Sequence, residues 1–128
     1  MPECQTNAPF WVALCNSSDL VDGGLAVPFM VHYQGLACRA FAIRFQGQVH
    51  AYLNRCGHVA MEMDWQPDRF FDPTGRWLVC ATHGALYAPD TGLCQAGPCK
   101  RGLIALETRE YDGVLYWRSQ YPFQTLEC

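Results

Sequence analysis

Cysteine and histidine alternate at two places in this chain, Cys56-Gly57-His58 and Cys80-Ala81-Thr82-His83, with twenty-one residues between them. Each loop offers one thiolate and one imidazole. Two such pincers serve a single centre only if the fold brings both loops together, so the pattern constrains the chain's path over nearly thirty residues. Gly57 lets the backbone turn tightly between ligands two positions apart, and Gly84 after His83 permits close approach of the chain. On one centre, the two thiolates can take one metal ion and the two imidazoles a second, or all four can take a single zinc ion. Zinc modules usually keep like ligands in pairs, so the alternation favours the two-ion arrangement.

Turn signals recur at short intervals: Asp22-Gly23-Gly24, Gln34-Gly35, Gln46-Gly47, Asp72-Pro73-Thr74-Gly75, Pro89-Asp90-Thr91-Gly92 and Asp112-Gly113. The segments between them have strand length. Residues 41–45 and 49–53 flank a Gln46-Gly47-Gln48 turn, with Phe41, Ile43 and Phe45 alternating onto one face, which predicts a hairpin. Residues 104–110 and 114–117 flank Tyr111-Asp112-Gly113 and predict a second, because an Asp-Gly pair supplies the positive φ angles of tight turns. Trp77-Leu78-Val79 reads as a short buried strand leading into Cys80, with Phe70-Phe71 as its partner. Residues 17–21 and 59–63 are the two candidate helices, both too short to stand without tertiary support. The expected fold is all-β, built from small antiparallel sheets in a single domain over residues 1–128.

An apolar fraction of 50% in 128 residues is enough for one core. The net charge is only −3 and the nine Lys and Arg are scattered, so no basic stripe marks a nucleic-acid partner. No run of about eighteen apolar residues offers a membrane span, and residues 1–20 lack the features of a secretory signal. A cytoplasmic protein without membrane contact is therefore expected. Without export, the eight cysteines do not read as a disulfide framework. Cys4, Cys15, Cys38, Cys94, Cys99 and Cys128 are expected to be thiols, some buried in strands. His32 and His50 lie in strand-like segments and read as half-exposed sheet residues, and Asp90 and Asp112 as turn formers.

The segments CGH, CATHGALYAPDTG and AGPCKRG together resemble the Rieske 2Fe-2S family, whose loops read CxH and CxxHG with a Gly-Pro segment covering the cluster. The resemblance implies a Rieske-like fold with a cluster-binding subdomain at about residues 54–99, inserted in a base formed by about 10–53 and 100–120. It implies one Rieske-type 2Fe-2S cluster held by Cys56 and Cys80 on one iron and by His58 and His83 on the other. Gly57, Gly84, Ala85, Tyr87, Gly97 and Pro98 would surround or cover it. Met61 and Thr82 stand where high-potential members carry a disulfide, and Ala85 where they carry a serine that donates to a bridging sulfide. Tyr87 matches a tyrosine that donates to a cysteine sulfur. With fewer donors to sulfur, the expected potential is near the low end of the Rieske range, about −150 mV. The chain is most similar to the soluble ferredoxins of bacterial ring-hydroxylating oxygenases. Residues 59–79 form a longer insert bearing Trp65, Phe70, Phe71 and Trp77, expected to be a local hairpin packed on the base, with an altered docking surface as the alternative.

A centre whose positions are all filled leaves no site for substrate, so the expected function is electron transfer, from a reductase to an oxygenase-type acceptor, without a catalytic site of the chain's own. Docking would be transient, near His58 and His83, on an apolar rim of Val59, Ala60, Met61, Ala85 and Pro98. Reduction beside the imidazoles should raise their proton affinity, making the potential fall as pH rises past the oxidised-state ionisation. Two other readings use the same residues: a small Rieske-like subunit of a nitrite-reductase-type complex or a redox sensor, and a structural zinc module.

Overall fold

The computed structural model describes residues 10–55, 62–64, 66–81, 84–99, 101–119 and 123–125. Cys56, Gly57, His58, Val59, Ala60, Met61, Trp65, Thr82 and His83 lie outside the described residues, as do Cys4 and Cys128. The described strands are β1 (Phe10–Asn16), β2 (Val27–Tyr33), β3 (Leu36–Phe45), β4 (Gln48–Leu53), β5 (Leu78–Val79), β6 (Leu86–Tyr87), β7 (Cys94–Ala96), β8 (Ala105–Leu106), β9 (Thr108–Tyr111), β10 (Val114–Ser119) and β11 (Phe123–Thr125). They form a five-stranded sheet in the order β11-β2-β3-β4-β8 and two three-stranded sheets, β1-β10-β9 and β5-β6-β7. The strand pairings are antiparallel, as the all-β reading requires. Among the described residues one short 3-10 turn, Ser17–Asp19, falls in the first of the two segments considered for helix, and residues 59–61 of the second lie outside the described residues.

Paired positive φ angles at Gln34-Gly35, Gln46-Gly47 and Asp112-Gly113 join β2 to β3, β3 to β4 and β9 to β10. Turns of this kind match the natural twist of the strands they connect. In the β3–β4 hairpin, Phe45 pairs with Gln48, so Gln48 belongs to the strand and the turn contains two residues rather than three. The second expected hairpin forms differently from its prediction. Residues 104–110 do not make one strand: β8 pairs with β4, whereas β9 pairs with β10 in another sheet. Glu107 is the crossing point, its carbonyl accepting from the Arg118 N–H at 3.0 Å. Local alternation cannot reveal such a change of partner, because both halves remain extended.

The strand into Cys80 is present as β5. Phe71 meets it through one antiparallel bridge to Leu78, and the Val79 N–H donates to the Phe70 carbonyl at 2.8 Å. Its regular partner is β6, with Leu78 opposite Tyr87 and Val79 opposite Leu86.

Alternation along 41–45 predicts one buried face, yet β3 buries both. Phe41 and Ile43, with Tyr52, pack against Met63, Phe70, Phe71, Leu78, Cys80, Ala85 and Tyr87. On the opposite face, Ala40, Ala42, Ala51 and Leu53 pack with Val31, Leu106, Leu115 and Trp117. Alanine at alternate positions lets a second layer approach closely. The described part of the insert packs on the base: the Phe70 ring stacks on Phe41 with centroids 3.7 Å apart, and Phe71 lies 6.2 Å from Phe45. These contacts join the site-bearing segment to the central sheet.

Candidate metal centre

β5 delivers Cys80 into the shared core, where it is fully buried beside Ala85 and Tyr87. The loop that follows is closed at its base. Cys80 N–H donates to the Ala85 carbonyl and Gly84 N–H to the Cys80 carbonyl, both at 2.8 Å. Gly84 has φ +73°, a conformation available to glycine at little cost. These bonds join residues 80, 84 and 85, on either side of residues 82–83.

Asn54 performs the corresponding closure for residues 55–62. It is buried, its Oδ1 accepts from the Met63 N–H at 2.7 Å, and its Nδ2 donates to the Asp64 carboxylate at 3.1 Å. Its own N–H donates to the Arg39 carbonyl at 2.8 Å, anchoring it to β3. A further bond runs between the loops, from Ala81 N–H to the Met63 carbonyl at 3.0 Å. Asn54 is a site residue that sequence reasoning missed. Its only signal is its place at the end of a strand two residues before Cys56.

The segment at Gly97-Pro98 supplies a third side. A Cβ placed on Gly97, whose φ is +90°, would lie 2.8 Å from the Ala85 Cα and 3.3 Å from the Gly84 carbonyl oxygen. Only a residue without a side chain permits that approach. Cys80, Gly84, Ala85, Tyr87, Gly97 and Pro98 are thus gathered in one region, while Cys56, Gly57, His58 and His83 lie outside the described residues. A fully buried thiol suits a soft metal ion, and backbone approach at Gly84 and Gly97 suits a crowded cradle, so the residues present fit an iron–sulfur cluster.

Two expectations need correction. Ala85 is fully buried and cannot belong to an exposed docking rim; its methyl group faces the core because Cys80 and Gly97 close over its backbone. Pro98 is exposed. Cys94 and Cys99, expected as thiols, are joined by a disulfide with Cα atoms 5.9 Å apart. Their spacing matches no metal or redox motif, and β7 followed by a tight turn is what brings them within bonding range. Cys15 and Cys38 are half-buried thiols in β1 and β3, and burial raises the Cys15 thiol above its ordinary value. His50 is half-buried in β4, where desolvation lowers its pKa. Asp112 lies in the β9–β10 turn with φ +52°, and Asp90 is exposed in a turn, in keeping with their sequence reading.

The family model described as "Rieske [2Fe-2S] domain" matches residues 10–111. None of the curated proteins matches the chain. Among solved structures, a chain in the complex of reduced oxygenase and oxidized ferredoxin of carbazole 1,9a-dioxygenase superposes with TM-score 0.66 at 23% identity, covering 91% of this chain and 97% of that one. The ferredoxin of carbazole 1,9a-dioxygenase from Nocardioides aromaticivorans IC177 gives 0.63 at 20% identity, covering 84% and 95%. The terminal oxygenase of carbazole 1,9a-dioxygenase from Novosphingobium sp. KA1 gives 0.61 at 20% identity, but this chain spans only 29% of it. Likenesses of this order establish a common fold.

Proposed function

The chain belongs to the Rieske [2Fe-2S] domain family, and from that premise we propose that it is a ferredoxin that accepts one electron from a reductase and delivers it to an oxygenase-type acceptor. Its cofactor is one Rieske-type 2Fe-2S cluster, which when bound supplies a one-electron couple. In this reading Cys56 and Cys80 hold one iron and His58 and His83 the other. Residues 1–128 act as one domain, with the cluster-binding part at about 54–99.

The observation that carries the proposal is the hydrogen-bonded juncture of the two ligand loops, Ala81 to Met63, with Asn54 closing one loop and the Cys80–Ala85 pair closing the other. In this reading the partner would dock transiently near His58 and His83. The apolar rim then consists of Val59, Ala60, Met61 and Pro98 without Ala85. Ala85 also offers no hydroxyl to a sulfide, which supports a low potential. The chain spans nearly the whole length of a ferredoxin and under a third of an oxygenase chain, which supports the ferredoxin reading. Among the described residues no helix is long and apolar enough to cross a membrane, and we place the carrier in the cytoplasm.

Protein-film voltammetry tests the role. A one-electron wave near about −150 mV supports a donor to an oxygenase, whereas a wave near about +300 mV, the upper limit of the Rieske span, contradicts it. Anaerobic mixing of a reduced flavin-dependent reductase with an oxidised terminal oxygenase should reduce the oxygenase only when this protein is present.

A further inference from the structure

Cys94 and Cys99 lie outside the four proposed ligands, yet their bond closes the segment that leans on the second ligand loop. Cys94 is fixed in β7 opposite Tyr87, and Cys99 is buried in the same core as Cys80, Ala85 and Tyr87. Residues 95–98 between them are exposed. Gly97 within that span touches the backbone of Gly84 and Ala85, immediately after His83. Pro98 has no N–H to donate. Among the described residues, no backbone hydrogen bond outside the β6–β7 ladder reaches residues 97, 98 or 99. The covalent bond is therefore one restraint on this part of the cover, beside the burial of Cys99 in the core.

We infer that Cys94 and Cys99 are a second redox site, a reversible disulfide/dithiol couple whose oxidised form clamps Gly97-Pro98 against the loop bearing His83. The inference rests on the proposal that this loop holds the cluster. The reductant is a dithiol. One of its thiolates attacks the sulfur of Cys94, a half-buried residue, forming a mixed disulfide and releasing Cys99 as a thiolate that takes up a proton. The second thiol of the reductant, giving up its proton, then displaces Cys94, which is protonated in turn. The protein gains two electrons and two protons, and the reductant leaves as a disulfide. Attack at Cys94 is favoured because its neighbours Leu93 and Gln95 are exposed, whereas Cys99 is buried. Once reduced, the turn keeps its ladder to β6 but loses its closure, so Gly97 no longer presses on Ala85 and solvent reaches the buried Ala85.

The full-length holoprotein is treated with iodoacetamide before and after dithiothreitol, and the labelled cysteines are mapped by mass spectrometry. Deuterium uptake and visible absorption in air are followed on the same samples. Cys94 and Cys99 should remain unlabelled until the dithiol is added. After reduction, uptake over residues 84–86 and 95–99 should rise on the order of tenfold, and the colour should fade severalfold faster. A Cys94→Ser/Cys99→Ser double variant should show the faster fading with or without dithiothreitol. Labelling of both thiols before reductant, uptake unchanged by reduction, or a colour lifetime indifferent to it each overturns the inference. A preparation that never carries iron and sulfide overturns the cluster proposal instead, and labelling and uptake still decide whether the couple exists and restrains the segment.

Discussion

At the scale of single residues, the site depends on groups that are not ligands. Asn54→Ala would leave the buried Met63 N–H without its acceptor and free one end of residues 55–62. A buried donor left unsatisfied costs about 1–3 kcal/mol, so urea unfolding should show a loss of that size, and the variant should be purified with less iron per chain. Gly97 and Gly35 offer a matched pair, since both have positive φ but only Gly97 lacks room for a Cβ. Gly35→Ala should cost about 1 kcal/mol from backbone conformation alone. Gly97→Ala adds a collision with the Ala85 backbone and should lower the melting temperature further while shortening the cluster's lifetime. The sequence singles out the four proposed ligands because alternating sulfur and nitrogen donors at such spacing serve few chemistries. Asn54 was not legible, because an asparagine at a strand end has no signature apart from the tertiary bonds it makes.

At the scale of elements, local turns were legible and long-range pairings were not. Gln46-Gly47 announces the β3–β4 hairpin because its φ angles are a local property. Nothing local announces that β1 pairs with β10, or that residues 104–110 divide between two sheets. The Cys94–Cys99 bond was hidden for the same reason, since the five-residue separation becomes a bonding distance only after β7 turns. One side chain joins several of these elements. Arg44 on β3 donates to the Leu20, Ser17 and Gly47 carbonyls and lies 2.9 Å from Glu110 on β9. The hydrogen bond from Arg44 holds the Glu110 carboxyl below its ordinary range, against the opposing effect of burial. A lowered folded-state pKa means that ionised Glu110 contributes stability above the unfolded value, and that this contribution is lost as pH falls through the lowered one. Glu110→Gln should therefore be less stable than the parent at pH 7, and the gap should close below about pH 4. Urea midpoints measured from pH 3 to pH 7 check the slope; a gap independent of pH would assign the loss to packing.

At the scale of the whole molecule, one apolar cluster spans the central sheet and the site. Phe41, Ile43 and Tyr52 belong to the sheet, whereas Phe70, Cys80, Ala85 and Tyr87 belong to the segment around the centre. Phe70→Ala removes a ring stacked on Phe41 and should cost about 3–5 kcal/mol. Because the core is shared, visible absorption and tryptophan fluorescence should be lost together in denaturant, with coincident midpoints. Loss of colour well before unfolding would mean that the site is held independently of the sheet. The all-β class was legible from turn spacing and alternation, but the sharing of one core was not, since β3 buries both faces by means of alanines that carry no strong periodic signal. The most direct test of the account is electron–nuclear double resonance on the dithionite-reduced protein labelled with 15N-histidine. Two strongly coupled histidine nitrogens, one lost from the spectrum of His58→Cys, the other from that of His83→Cys and both from the double variant, are the predicted result; a reduced cluster with no histidine coupling, or a colourless protein containing stoichiometric zinc, would contradict it.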